Sequence, residues 1–190
     1  MADKPKPINL DPFQILKEIH FPGATWGLLR VKWDVSAGDD LDTRTQMMVP
    51  SESDIVGWNR KDSTRYLRWA GDETGNGNEA IVVNLKKLRE ENPSLERYEL
   101  AFRAFWFDDK RSGAITLEWS TYPGGGKWTD TGMDYVYSKP KQEGSDWQLS
   151  ANVSAERGTA TDHPGEEVYT LSINRKNGKV GEDPPPDDAP

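Results

Sequence analysis

The chain has 190 residues, enough for one well-filled core and short for two, so a single domain with two ragged ends is expected. Asp and Glu number 32 against 24 Lys and Arg, a formal charge of −8, which works against attraction to phosphate backbones or anionic lipid and argues against nucleic acid as a partner. There is no cysteine, which excludes disulfides, thiolate zinc sites and cysteine nucleophiles, and only His20 and His163 could supply imidazole.

Residues 1–11 are polar and proline-rich and read as an extended arm. The arm has no apolar run suited to a signal segment, and nowhere do about eighteen apolar residues follow one another, so neither signal-directed export nor membrane insertion is expected. The expected product is made in the cytoplasm and stays there or is built into a particle such as a virion. Asp11 offers an N-cap, Pro12 suits the first helical position and Gln14 lies three residues after the cap, so a short helix is predicted from Pro12 to His20.

After the FPG turn, Leu29, Val31 and Trp33 alternate with charged residues in the period of a half-buried strand. The same alternation recurs at Thr45–Val49, at Val56 and Trp58, at Leu67 and Trp69, and at Ile81, Val83 and Leu85. KKLREEN then predicts a helical turn ended by Pro93. Tyr98 to Trp106 makes the strongest strand pattern, followed by Ile115 to Trp119, the tight GGGK connection, Tyr135 with Tyr137, Trp147 with Leu149, and Tyr169 to Ile173. Nine or ten short strands separated by turn residues predict an all-β fold, a mainly antiparallel β-sandwich spanning 12–178, with the short N-terminal helix and one helical turn. Residues 179–190 are dominated by proline and acid and read as a solvated tail.

Oxygen-bearing side chains cluster in two places. AGDDLDTRT carries Asp39, Asp40 and Asp42; in an extended DLD segment Asp40 and Asp42 share one side while Leu41 anchors the other in the core. GDETGNGNE carries Asp72, Glu73, Asn76, Asn78 and Glu79 among three glycines that let the backbone turn freely. Neither loop alone would satisfy a calcium ion, which takes about six to eight oxygens. Brought to one end of the sandwich, Asp40, Asp42, Asp72 and Glu79 would supply the charge, with Asn76 or Asn78 and backbone carbonyls completing the shell. Magnesium fits less well because it keeps more of its water. The ion would be structural, relieving the repulsion of crowded carboxylates.

The run from Trp33-Asp34 through Asp40-Leu41-Asp42 to GDETGNGNEAIVVNL resembles the TerD-like tellurium-resistance and stress-response family over roughly residues 29–88. The resemblance implies a calcium-binding β-sandwich, with ligand roles at Asp40, Asp42, Asp72 and Glu79, and with Asn78 standing where the family usually has an aspartate.

Two further readings stand beside this one. Eight tryptophans are present; Trp33, Trp106, Trp119 and Trp147 fall on strand faces and read as core, whereas Trp58, Trp69 and Trp128 lie nearer turns, where a ring can stack on a glycan or another partner. A carbohydrate-binding module held by calcium is therefore one alternative. A TerD-like stress-response protein is another, and the leading expectation is a calcium-binding module in protein interaction or assembly, a subunit that clasps protein neighbours through its arm and tail in a large assembly such as a phage particle. No nucleophile motif accompanies either histidine, and Tyr122-PGGGK lacks the Ser or Thr of a phosphate-binding loop, so a non-enzymatic role is expected.

Overall fold

The computed structural model describes residues 23–34, 40–72, 74, 77–107, 113–153 and 166–181. The predicted helix from Pro12 to His20, the arm at 1–11, His163 and most of the acidic tail lie outside them. In chain order the strands are β1 (Trp26–Trp33), β2 (Leu41–Val49), β3 (Ile55–Gly57), β4 (Leu67–Trp69), β5 (Asn78–Asn84), β6 (Arg97–Trp106), β7 (Gly113–Tyr122), β8 (Trp128–Asp130), β9 (Tyr135–Tyr137), β10 (Trp147–Val153) and β11 (Glu166–Asn174); one helix, α1 (Leu85–Glu91), joins β5 to β6.

Two antiparallel sheets face each other, one ordered β10-β7-β1-β5-β4 and the other β11-β6-β2-β3, which is the all-β sandwich that the alternation predicts. Period two puts Leu29, Val31 and Trp33 of β1 on the inner face with Ile81 and Val83 of β5 and Leu117 and Trp119 of β7. Tyr98, Leu100, Phe102, Ala104 and Trp106 of β6 meet them from the second sheet. Each large side chain buried here contributes about 1.5 to 3 kcal/mol relative to an exposed one. Trp119 shows how tightly the layer is filled: its indole N–H donates to the Gly178 carbonyl at 2.9 Å, and a Cβ at Gly27 would lie 2.1 Å from its ring.

Three departures from the sequence reading concern the site or its neighbourhood. Leu85, expected to finish a strand, instead opens α1, because the Asn84 side chain caps the helix by accepting from the Lys87 N–H at 2.9 Å while Leu85 and Leu88 turn inward. The fold also runs past 178: Val180 is buried and bridges to Ile173, and the Asn174 N–H donates to the Lys179 carbonyl at 2.9 Å. Finally, the expected strand at Tyr135 and Tyr137, β9, pairs with β8, which the strand pattern did not reveal, in a hairpin. It lies over the outer face of the five-stranded sheet, where Tyr135 and Tyr137 close a second apolar cluster with Leu28, Ala80, Val82 and Tyr122. No described helix is long and apolar enough to cross a membrane.

Candidate metal centre

Leu41 is fully buried opposite Trp106 on β6 and pins the start of β2. Asp42, the next residue, therefore points away from the inner layer, and Asp40, two residues earlier, turns to the same side. Asp72 arrives from a different part of the chain. Trp69 and Ala70 are buried before it, and Gly71 adopts φ 131°, where a Cβ would meet the Gly132 carbonyl oxygen at 2.2 Å. Only glycine lets the backbone lean on the β8–β9 turn in this way and deliver Asp72 at the end of the sandwich.

One carboxylate oxygen from each of Asp40, Asp42 and Asp72 lies within 4.8 Å of the others. Two unit charges at that spacing repel by about 3 kcal/mol at an effective dielectric near 20. Asp42 carries the heaviest load, for it is wholly shielded from solvent and neither carboxylate oxygen receives a hydrogen bond from the described protein. Burial first, and then the charges of Asp40 and Asp72, push its carboxyl up to about 8 from an ordinary 3.8. Arg44, two residues along β2, pulls the other way but does not cancel them. Its guanidinium stacks over Phe105 at 4.9 Å and Trp58 at 5.7 Å, and its Nε donates to the Trp58 carbonyl at 3.2 Å.

Glu79 sits at the start of β5 with its side chain in the interior. It accepts hydrogen bonds from the Thr43 hydroxyl and from the Trp69 indole N–H, the latter at 3.2 Å. Burial holds its carboxyl well above the usual range; those two hydrogen bonds oppose the shift, and the charges of Asp72 and Asp42 add to it. One Glu79 oxygen, Oε1, is enclosed without a hydrogen bond.

The structure thus joins the two acidic segments expected to meet, but divides the expected ligands. Asp40, Asp42 and Asp72 converge; Glu79 stands outside that group as a buried neighbour. Asn78 precedes it in β5 and, by strand alternation, takes the opposite face, the one carrying Ala80 and Val82. Asn76 and Asp39 lie outside the described residues. Of the three turn-side tryptophans, Trp69 is corrected as a glycan candidate, whereas Trp58 and Trp128 are both half-buried. Trp69 is buried with its N–H committed to Glu79, and Trp58 packs edge-on against Phe105 and Phe107 at centroid distances of 5.9 and 5.6 Å. Trp128, the first residue of the hairpin, keeps a half-buried ring.

Sequence reasoning passed over Thr43 and Trp69 as partners of Glu79. The available signal was polarity at an inward position: Thr43 and Thr45 share the face of Leu41 and Met47 in β2, and a hydroxyl there needs an acceptor.

Hard carboxylate oxygens, with both of those on Asp42 buried and without a hydrogen bond, suit a hard divalent cation, which would replace mutual repulsion with attraction. Three carboxylates leave room for backbone oxygen and water in a shell of calcium's size. Compared with models of known protein families, with curated proteins and with solved structures, the chain matches none.

Proposed function

We propose that this protein is a non-catalytic calcium-binding β-sandwich that acts in protein interaction or assembly, with the ion as a structural element. The observation that carries the reading is Asp42: a carboxylate shielded from solvent, with both oxygens lacking hydrogen bonds, facing the carboxylates of Asp40 from its own segment and of Asp72 from the loop after β4. A fold gains nothing from that arrangement unless a cation or a proton compensates it. The TerD-like resemblance of residues 29–88 points to the same ion. Bound there, calcium would tie the start of β2 to the loop after β4, and so stiffen the end of the sandwich and the hairpin that leans on Gly71. For the interaction role, the support is β11, a nine-residue strand at the edge of its sheet: its last residues, Ser172 to Asn174, are bridged by residues 179–181, whereas its earlier residues have β6 as their one neighbouring strand among the described residues. Such an edge offers backbone groups for strand addition.

The test is thermal unfolding in calcium and in chelator. Calcium at a hundredfold its dissociation constant adds about 2.7 kcal/mol, which raises the midpoint of a domain this size by about 5 to 10 °C. Asp72 is exposed, so Asp72→Ala should fold and lose that rise, as should Asp40→Ala, while magnesium should produce a smaller one. A wild-type midpoint unmoved by millimolar calcium would overturn the proposal.

A further inference from the structure

On the outer face of the five-stranded sheet, the β8–β9 hairpin stops short of edge strand β4 and leaves a pocket of about 300 Å³ between them. That size suits a small organic ligand. Trp26 and Trp128 form two of its walls, with ring planes at 90° and centroids 6.4 Å apart. One ring can therefore lie flat against a planar ligand face while the other closes its edge. Tyr135 backs them, its ring 6.0 Å from that of Trp128. Its hydroxyl does not reach for a ligand, because it donates to the Trp69 carbonyl at 3.0 Å; the bond fixes the ring instead.

The opposite side is polar and nearly neutral. Arg68 and Asp130 face each other loosely, at 4.0 Å, with side chains 67% and 37% exposed. Arg65, also on the rim, is held by Glu91 at 2.6 Å. Two cations at the mouth disfavour a cationic guest, and the carboxylate beside each removes the excess charge that an anion would need. What fits is an uncharged molecule with one apolar face for the indole and equatorial oxygens for both a guanidinium donor and a carboxylate acceptor. A pyranose ring has that amphipathic shape.

We propose that the Trp26–Trp128 pocket, with Arg68 and Asp130 at its rim, binds a neutral sugar ring. The site is separate from the aspartate cluster and needs no ion of its own. It is built on two strands and a packed hairpin, so little ordering accompanies binding.

The experiment is a screen of the full chain, in calcium and again in chelator, against an array of neutral and acidic oligosaccharides. Hits are then titrated by tryptophan fluorescence. A neutral hexose oligomer should bind, and Trp26→Ala and Arg68→Ala should each weaken it about tenfold or more. Arg68 is exposed, so Arg68→Ala should keep the wild-type melting temperature, which separates lost contact from lost fold. Trp147→Ala, at the far edge of the same sheet, should bind as wild type does. Absence of any neutral hit, binding confined to sulfated or sialylated glycans, or affinity untouched by both Trp26→Ala and Arg68→Ala would overturn the proposal. Because calcium binding is read from the melting temperature and sugar binding from fluorescence, either reading can fail without the other.

Discussion

Replacing Asp42 by asparagine removes one charge from the most shielded position in the acidic cluster. In the folded protein its carboxyl is pushed up to about 8 by burial and by Asp40 and Asp72, whereas an unfolded chain holds it near 3.8. The unfolded state therefore releases its proton first as pH rises. The stability linked to that proton is complete below about pH 4, shrinks through the neutral range, and is gone once pH passes 8. At pH 7, about three units above the ordinary value, the loss is on the order of 4 kcal/mol at 1.36 kcal/mol per unit. Asparagine does not titrate, so Asp42→Asn escapes this loss. A buried amide also seeks partners, at a cost of about 1 to 3 kcal/mol, but that cost does not vary with pH. The quantity to read is therefore the change with pH in the stability difference between the two proteins. Urea unfolding in chelator at half-unit steps from pH 4 to 9 should show the variant gaining on wild type from pH 4 to about 8 and the difference levelling off above that. Calcium should restore the wild type above pH 7 and leave the variant unmoved, since the ion takes the place of the proton. A stability difference that stays constant from pH 4 to 9 in chelator would refute the account of Asp42 as a strained carboxylate.

Further outcomes follow from the neighbours of that cluster. Glu79→Gln keeps the shape of a side chain whose carboxyl burial holds well above the usual range, so metal-free stability at pH 7 should be equal or higher and the calcium-dependent rise in melting temperature should persist. A loss of calcium response as large as that of Asp72→Ala would instead put Glu79 in the coordination shell. Gly71→Ala forces a Cβ toward the Gly132 carbonyl at a φ that only glycine tolerates well; unfolding should show a cost of about 2 kcal/mol or more. The same variant should weaken calcium, because Asp72 must move with its backbone, and wild-type behaviour on both counts would mean that the hairpin contact does not position the loop.

Period-two alternation specified most of the strands before any coordinates. Leu29, Val31 and Trp33, or Tyr98 through Trp106, can be apolar at every second position only if one face is buried, and that is where they lie. The glycines and oxygens of the loop after Trp69, and the DLD segment ahead of β2, likewise marked where carboxylates would crowd. Sequence alone could not establish that Asp42 and Asp72, thirty positions apart, share a site, because their meeting depends on how β2 of one sheet and the β4–β5 loop of the other end on the same side of the sandwich. Nor could it separate Asn78 from Glu79. Both are polar, and the strand had to begin at Asn78 for alternation to send one outward and the other into the interior beside Thr43. The hairpin was half hidden for a related reason: Tyr135 and Tyr137 marked β9, but β8 is three residues with no apolar alternation of its own. The surface they cover also reads as an ordinary outer face until Leu28, Val82 and Tyr122 are seen beneath them. Local pattern encodes which side of a strand is apolar; what comes to rest against that side is decided by contacts between residues far apart in the chain, and it is those contacts that turn Trp69 into a partner of Glu79 and leave Trp128 beside an open pocket.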